Sequence, residues 1–176
     1  GRAGGAGGTL AFTISVNAAA RQVAPAAPLD LAVPAREIVR LVEPLAQPKR
    51  LRFVAHVPAE SVPIVSDVGM LRQILYNLVA NAVKFTERGE VGLAAKRSAA
   101  GATLEVGDTG IGLAPQNLGR VFDDFWQADG AVTGRRHGVG LGLSISRRLA
   151  RLLGGDIPVA STIGRGTTFT VALPSA

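Results

Sequence analysis

A mixed α/β fold, with helices layered on one face of a sheet, is what this sequence predicts. Three observations carry the prediction. Apolar and polar residues alternate in "LRFVAHV", "EVGLAAKR", "ATLEVGD" and "GTTFTVALP", the period of a strand. Apolar residues recur at helical spacing in "RQILYNLVANAVKFT" and "LGLSISRRLARLLGG". The two kinds of segment are interleaved along the chain, which suits packed layers of helix and sheet.

The 176 residues suffice for one domain with a real core, and 47% hydrophobic against 18% charged residues is a folding composition. No apolar run approaches the ~18 residues of a bilayer span, and no signal peptide is legible, so a soluble, cytoplasmic fragment without membrane contact is expected. Cysteine is absent, which excludes disulfides and thiolate metal sites. The net charge of +6 suits a polyphosphate ligand or nucleic acid. Nucleic acid is disfavoured, because the charges are scattered and only 5% of residues are aromatic.

Taken in order, "GRAGGAGG" is too rich in glycine to hold an element and reads as a linker. "TLAFTISVN" alternates Leu10, Phe12, Ile14 and Val16 and predicts a strand, so residues 1–27 form a linker and edge strand and residues 28–176 the domain proper. Residues 18–34 read as loop. A helix is expected to start after Pro34 and to be kinked or shortened by Pro44. The strand "LRFVAHV" then ends before a loop with Pro58 and Pro63, and Asp67 is the N-cap of the next helix. Two strands form a hairpin about residues 99–101. Residues 107–142 should be largely loop with one or two helical turns. A helix closed by glycines follows, then two strands joined by "IGRG", the first of them an edge because it holds Pro158.

The helix over 72–86 carries a second stripe. Gln73, Asn77, Asn81 and Lys84 stand at i, i+4, i+8 and i+11, a narrow face of amides with one cation. On these residues alone, a solvated helix face and a ligand face fit equally well. An amide oxygen suits Mg²⁺, and a lysine meets phosphate as a point charge.

Two glycine clusters weight the balance towards a ligand. In "EVGDTGIGLAP" a strand ends at Asp108 and Gly110 and Gly112 follow. In "HGVGLGLSIS" Gly138, Gly140 and Gly142 run into a helix, whose N-terminal N–H groups favour phosphate. Neither is a Walker loop, since no Gly-Lys-Ser/Thr follows, and neither sits in a βαβ unit. Asp108 could simply cap a turn; at the floor of a pocket it could accept a hydrogen bond from an exocyclic amine.

"NLVANAVKF", "DTGIGL", "VFDDFWQAD" and "GVGLGLSIS" stand in the order and spacing of four boxes: asparagine, first glycine, phenylalanine and second glycine. In this the chain resembles the ATP-binding catalytic domain of bacterial sensor histidine kinases, from about residue 28 to 174. "APLDL", "LRQIL" and "GRGTTFTVALP" fit the same pattern. The resemblance implies a two-layer Bergerat sandwich, with three helices on one face of a mixed sheet and ATP under a flexible lid. It implies that Asn81 ligates Mg²⁺, that Asn77 and Lys84 contact the phosphates or their waters as the catalytic pair, and that Phe85 lies against adenine. Asp108 would bind the adenine amino group, with Gly110 and Gly112 giving the base room. Phe122 and Phe125 would anchor the lid. Arg135 and Arg136 would serve as lid cations, and Gly138, Val139, Gly140, Leu141 and Gly142 would shape its hinge and phosphate end.

The implied reaction is transfer of the γ-phosphate of Mg-ATP to a histidine on dimerisation helices absent from this chain, then relay to a response regulator. Related ATPases of the same superfamily, gyrase and the Hsp-type chaperones, place a glutamate where Asn77 stands. An amide cannot take a proton at neutral pH, so Asn77 favours transfer over hydrolysis. The only histidines, His56 in a strand and His137 beside the second glycine box, lie outside any helical acceptor box. His137 and Val139 depart from the usual Gly-Thr-Gly lid pattern and keep a degenerate nucleotide-binding module open as an alternative. An anti-sigma-type serine kinase on the same fold is the other.

Overall fold

The computed structural model describes residues 26–127 and 140–175. The expected strand over 9–17 therefore lies outside the described residues. The element order is β1 (Ala27–Asp30), α1 (Ala32–Ala46), β2 (Arg52–His56), β3 (Pro63–Ser66), α2 (Val68–Phe85), β4 (Glu90–Ser98), β5 (Gly101–Asp108), α3 (Gly142–Leu152), β6 (Val159–Thr162) and β7 (Gly166–Pro174). Five strands form one sheet in the order β2-β4-β5-β7-β6, and β1 pairs with β3 separately. β2 runs parallel to β4 while the other neighbours are antiparallel, so the sheet is mixed.

The strands explain why the helices cover one face only. On β4 and β5, Val91, Leu93, Ala95, Ala102, Leu104 and Val106 are buried, while the alternate residues Gly92, Ala94, Thr103, Glu105 and Gly107 remain partly open. A strand turns successive side chains to opposite faces, so this pattern buries a single side. Against that side lie Leu71, Ile74, Leu75, Leu78, Val79 and Ala82 of α2, flanked by α1 and α3. Each fully buried leucine or isoleucine contributes roughly 1.5–3 kcal/mol, so the stripe along α2 is the main anchor of the helical layer.

α2 begins as the sequence predicts. Asp67 accepts a hydrogen bond from the Met70 N–H at 2.9 Å, satisfying one of the donors that a helix start leaves unpaired. The hairpin of β4 and β5 closes by pairing Ser98 with Gly101, and β6 is an edge strand as expected, although it starts at Val159 and leaves Pro158 just outside it.

Three expectations are corrected. α1 starts at Ala32, ahead of Pro34, because the Asp30 carboxylate takes the Ala32 N–H at 3.0 Å and the Val62 N–H at 2.9 Å. Those two N–H groups also hold the Asp30 carboxyl below its ordinary pKa. Pro34 then falls in the first turn, where no N–H is needed. Residues 27–30, read as loop, form β1. Pro63, read as part of a loop, opens β3. Both strands are four residues long and each contains a proline, so alternation had too little length to register. Pro44 does not end α1, which contains it and runs on to Ala46 before a 3-10 turn over Gln47–Lys49 that holds Pro48. His56 is a strand residue as read, at an exposed position near the end of β2.

Candidate functional site

The polar stripe of α2 stands at the seam with α3. Asn77, Asn81 and Lys84 are each half-buried, whereas Gln73 is exposed. The Asn77 side-chain nitrogen donates to the Gly142 carbonyl at 3.4 Å and to Ser146 Oγ at 3.3 Å. A carbonyl only accepts, so the amide nitrogen faces α3 and the amide oxygen is the end left for a ligand. Ser146 Oγ donates to the same Gly142 carbonyl at 2.8 Å, and Ser144 Oγ to the Leu141 carbonyl at 3.0 Å. Asn77 thus ties the first turn of α3, and with it Leu141 and Gly142, to the middle of α2. Sequence reasoning missed Ser146, although it lies one helical turn after Gly142 inside the quoted glycine box.

Two turns further on, Lys84 Nζ lies 4.9 Å from the centroid of the Phe85 ring, which is 37% exposed. The Phe85 carbonyl accepts the Ile111 N–H at 3.4 Å. The end of α2 therefore rests on the first glycine block. A Cβ on Gly110 would come within 2.4 Å of the Phe85 carbonyl oxygen, so only glycine allows this approach. Gly112 has φ +67°, and a Cβ there would meet the Thr162 carbonyl oxygen at 2.1 Å. Both glycines let the chain fold closely on itself around Asp108.

Asp108 ends β5, the central strand of the sheet, beside Val91 of β4. Its Oδ1 accepts the Gly110 N–H at 2.8 Å. Burial pushes its carboxyl above the ordinary aspartate range, and the backbone N–H groups of Gly110 and Thr167 oppose that rise. A carboxylate kept in place at that desolvation cost, among glycines, is suited to a strong hydrogen bond with a donor group. Thr167, on β7, is a second residue that the sequence reading did not single out.

Phe122 packs edge-on against Phe169 of β7, with ring centroids 6.0 Å apart and planes at 79°. The Arg147 guanidinium lies over the same ring at 4.7 Å from its centroid. Arg147 is itself held by Asp156 through two hydrogen bonds of 2.8 and 3.1 Å. Phe125 behaves differently. Its ring is 67% exposed, and it is its backbone N–H, donating to the Gly140 carbonyl at 3.0 Å, that joins the two chain ends flanking residues 128–139. Arg135, Arg136, Gly138 and Val139, together with His137, lie outside the described residues.

Arg147 draws the Asp156 carboxyl far below the ordinary range, chiefly through the hydrogen bonds between them. A depressed carboxylate pKa stabilises the fold above the unfolded-state value and loses that contribution as pH falls. Asp156→Asn should therefore lower the melting temperature at neutral pH, and the gap to the wild type should narrow as melts are repeated towards about pH 2. A gap of constant size would mean that the charge of the Asp156 carboxylate does not contribute to the stability of the fold.

Among the described residues no group of three or more His, Cys, Asp or Glu is placed to hold a metal ion, and no helix is long and apolar enough to cross a membrane. The stripe offers amide oxygens instead. That donor set fits Mg²⁺ taken up together with phosphates, since the ion keeps several waters and needs only one or two protein oxygens.

A family model described as "Histidine kinase-, DNA gyrase B-, and HSP90-like ATPase" matches residues 66–176. The aerobic respiration control sensor protein ArcB of Escherichia coli K12 is 41% identical over 132 residues, which is 73% of this chain and 17% of that protein. The sensor histidine kinase AruS of Pseudomonas aeruginosa is 50% identical over 104 residues, 56% of this chain and 10% of that one. Among solved structures, full-length ShkA in complex with AMPPNP aligns with a TM-score of 0.71 and 37% identity, covering 82% of this chain and 30% of that one. The chain thus spans less than a fifth of the length of these two curated relatives.

Proposed function

The chain belongs to the histidine kinase-, DNA gyrase B- and HSP90-like ATPase family, as a catalytic ATP-binding domain of the histidine-kinase kind, and on that premise we propose that it is the phosphoryl-donating half of a two-component sensor kinase. It binds Mg-ATP and delivers the γ-phosphoryl group to a histidine on the dimerisation helices of its parent protein. The bond from the γ-phosphorus to the bridging oxygen of ADP breaks as one forms to an imidazole nitrogen. The phosphoryl group then passes to a response regulator. This reading puts the domain in the cytoplasm, where ATP and such a regulator are found.

The observation that carries the proposal is the meeting of two groups of residues at the end of α2. Asp108 and the first glycine block come up against Phe85, while Asn77, Asn81 and Lys84 continue along the same helix. In the proposed complex the Asp108 carboxylate accepts the adenine amino group and Phe85 lies against the ring. Asn81, with the phosphates and water, holds Mg²⁺, whose charge offsets that of the phosphates. Lys84 and the Asn77 amide oxygen orient the phosphates or their waters. Phosphoryl transfer depends mainly on positioning and on charge neutralisation, and this set of residues can supply both. Hydrolysis would need a base near the attacking water, and Asn77 has no proton affinity to offer at neutral pH.

Two measurements test the proposal. Calorimetry should find micromolar binding of a non-hydrolysable ATP analogue that weakens when Mg²⁺ is withheld. Incubation with ATP should leave the chain itself unlabelled, and adding the parent's histidine-bearing hairpin should place acid-labile phosphate on the hairpin. Acid-stable phosphate would replace this reading with a serine kinase, and absence of nucleotide binding would replace it with a regulatory module.

A further inference from the structure

Lys49 lies outside all four sequence boxes, yet its ammonium group is sunk into the end of α2. Nζ donates to the carbonyl oxygens of Val83, Lys84 and Thr86, each at 2.9 Å, and reaches Glu87 Oε1 at 3.3 Å. The side chain is only 15% exposed, unlike a solvated surface lysine. An ammonium group has three donors, and here three backbone carbonyls converge on them. The last carbonyls of a helix have no partner within the helix and carry its negative dipole end. Lys49 meets both needs at once.

The fourth carbonyl of this turn, on Phe85, is held from another direction by the Ile111 N–H of the first glycine block. Thr86 adds a bond from its hydroxyl to the Ala82 carbonyl at 2.7 Å. The last turn of α2 is thereby clamped, and Lys49 supplies a positive charge to the clamp. Lys49 comes from the 3-10 turn after α1, and Arg50 at φ +54° turns the chain away immediately afterwards.

We infer that Lys49 is a positioning residue for nucleotide binding, which fixes the backbone of residues 83–86 and so sets where the Lys84 ammonium and the Phe85 ring meet the nucleotide. The inference rests on the ATP site proposed above. Lys49 acts mostly through Lys84, so most of the effect of removing Lys49 should vanish once Lys84 is gone.

A double-mutant cycle separates this role from general support of the fold. The 176-residue chain is titrated with Mg²⁺ and a non-hydrolysable ATP analogue, as wild type, Lys49→Met, Lys84→Met and the double variant. Lys49→Met should weaken binding about tenfold in the wild-type background and less than about threefold when Lys84 is already methionine. An equal loss in both backgrounds, or no loss, overturns the inference. Silence from the wild type instead sinks the ATP reading itself, and the inference with it. Should Lys49→Met fail to fold by circular dichroism, Lys49→Arg serves in its place. A planar guanidinium cannot send three donors to carbonyls converging on one point, so the same coupling with Lys84 is expected at smaller amplitude.

Discussion

Asp108→Ala should weaken binding of an ATP analogue by roughly ten- to a hundredfold, the loss of one charge-assisted hydrogen bond of about 1.5–3 kcal/mol. The effect should be confined to ligands that carry the exocyclic amine. A GTP analogue, with a carbonyl at that position, should bind weakly to wild type and variant alike. Asp108→Asn sharpens the test, because burial pushes the carboxyl above its ordinary range. A raised carboxylate pKa means that folding favours the protonated form, so the charged form detracts from stability as pH rises through the folded-state value. The neutral amide keeps an oxygen for the Gly110 N–H and removes the charge. Asp108→Asn is therefore expected to melt higher than wild type at neutral pH, with the gain shrinking below the unfolded-state pKa, while nucleotide affinity falls. A variant that binds as well as wild type would remove Asp108 from the site. One that melts lower at neutral pH would mean that the carboxylate serves the fold.

Gly166→Ala is expected to cost about 2–5 kcal/mol of stability, read from the denaturant midpoint, and to abolish nucleotide binding along with it. Gly166 opens β7 at φ +107°, a conformation that residues with a Cβ rarely adopt. An added Cβ would stand 1.8 Å from the Asp108 carbonyl oxygen and 2.9 Å from Thr109 Cα. The obstacle is backbone on both counts, so no side chain can move aside to relieve it. The start of β7 would have to withdraw from the end of β5, where Thr168 pairs with Gly107. Asp108 would then lose the Thr167 N–H that helps hold its carboxylate. The contrast is Gly164→Ala in the same turn, at φ +73° but with no atom within 4 Å of the added Cβ. That variant should show strain alone, about 1–3 kcal/mol, and retain binding. Equal behaviour of the two variants would mean that the close approach of β7 to Asp108 plays no part in the site.

Much of this architecture is legible without coordinates because periodicity is a local property. The alternation in β2, β4, β5 and β7 and the helical spacing in α2 and α3 each follow from neighbouring residues alone. β1 and β3 escaped because four residues with a proline cannot display a period, and their pairing joins segments more than thirty residues apart. The start of α1 escaped for a related reason. Asp30 accepts from both Ala32 and Val62, and only the second contact reveals that its carboxylate is a fixed structural element.

The site divides along the same line. Residue types alone singled out Asn77, Asn81, Lys84, Asp108 and the glycines, since amides, a cation, an acid at a strand end and residues without a Cβ are chemically distinctive in those positions. What those types left open was direction and distance. Only the folded chain turns the Asn77 nitrogen towards Gly142 and Ser146, brings Phe85 onto Gly110, and presses Gly112 against Thr162. Phe125, read with Phe122 as a lid anchor, contributes its backbone N–H, whereas the Phe122 ring is gripped by Arg147 and Phe169. Lys49 could not be recognised at all, because a lysine after a proline carries no local sign that three carbonyls await it. The sequence by itself determined the layers, the family and the chemical character of the site, because these reside in residue type and spacing. The tertiary structure alone decided which groups face each other, because hydrogen bonds and close approaches between segments distant in the chain depend on packing.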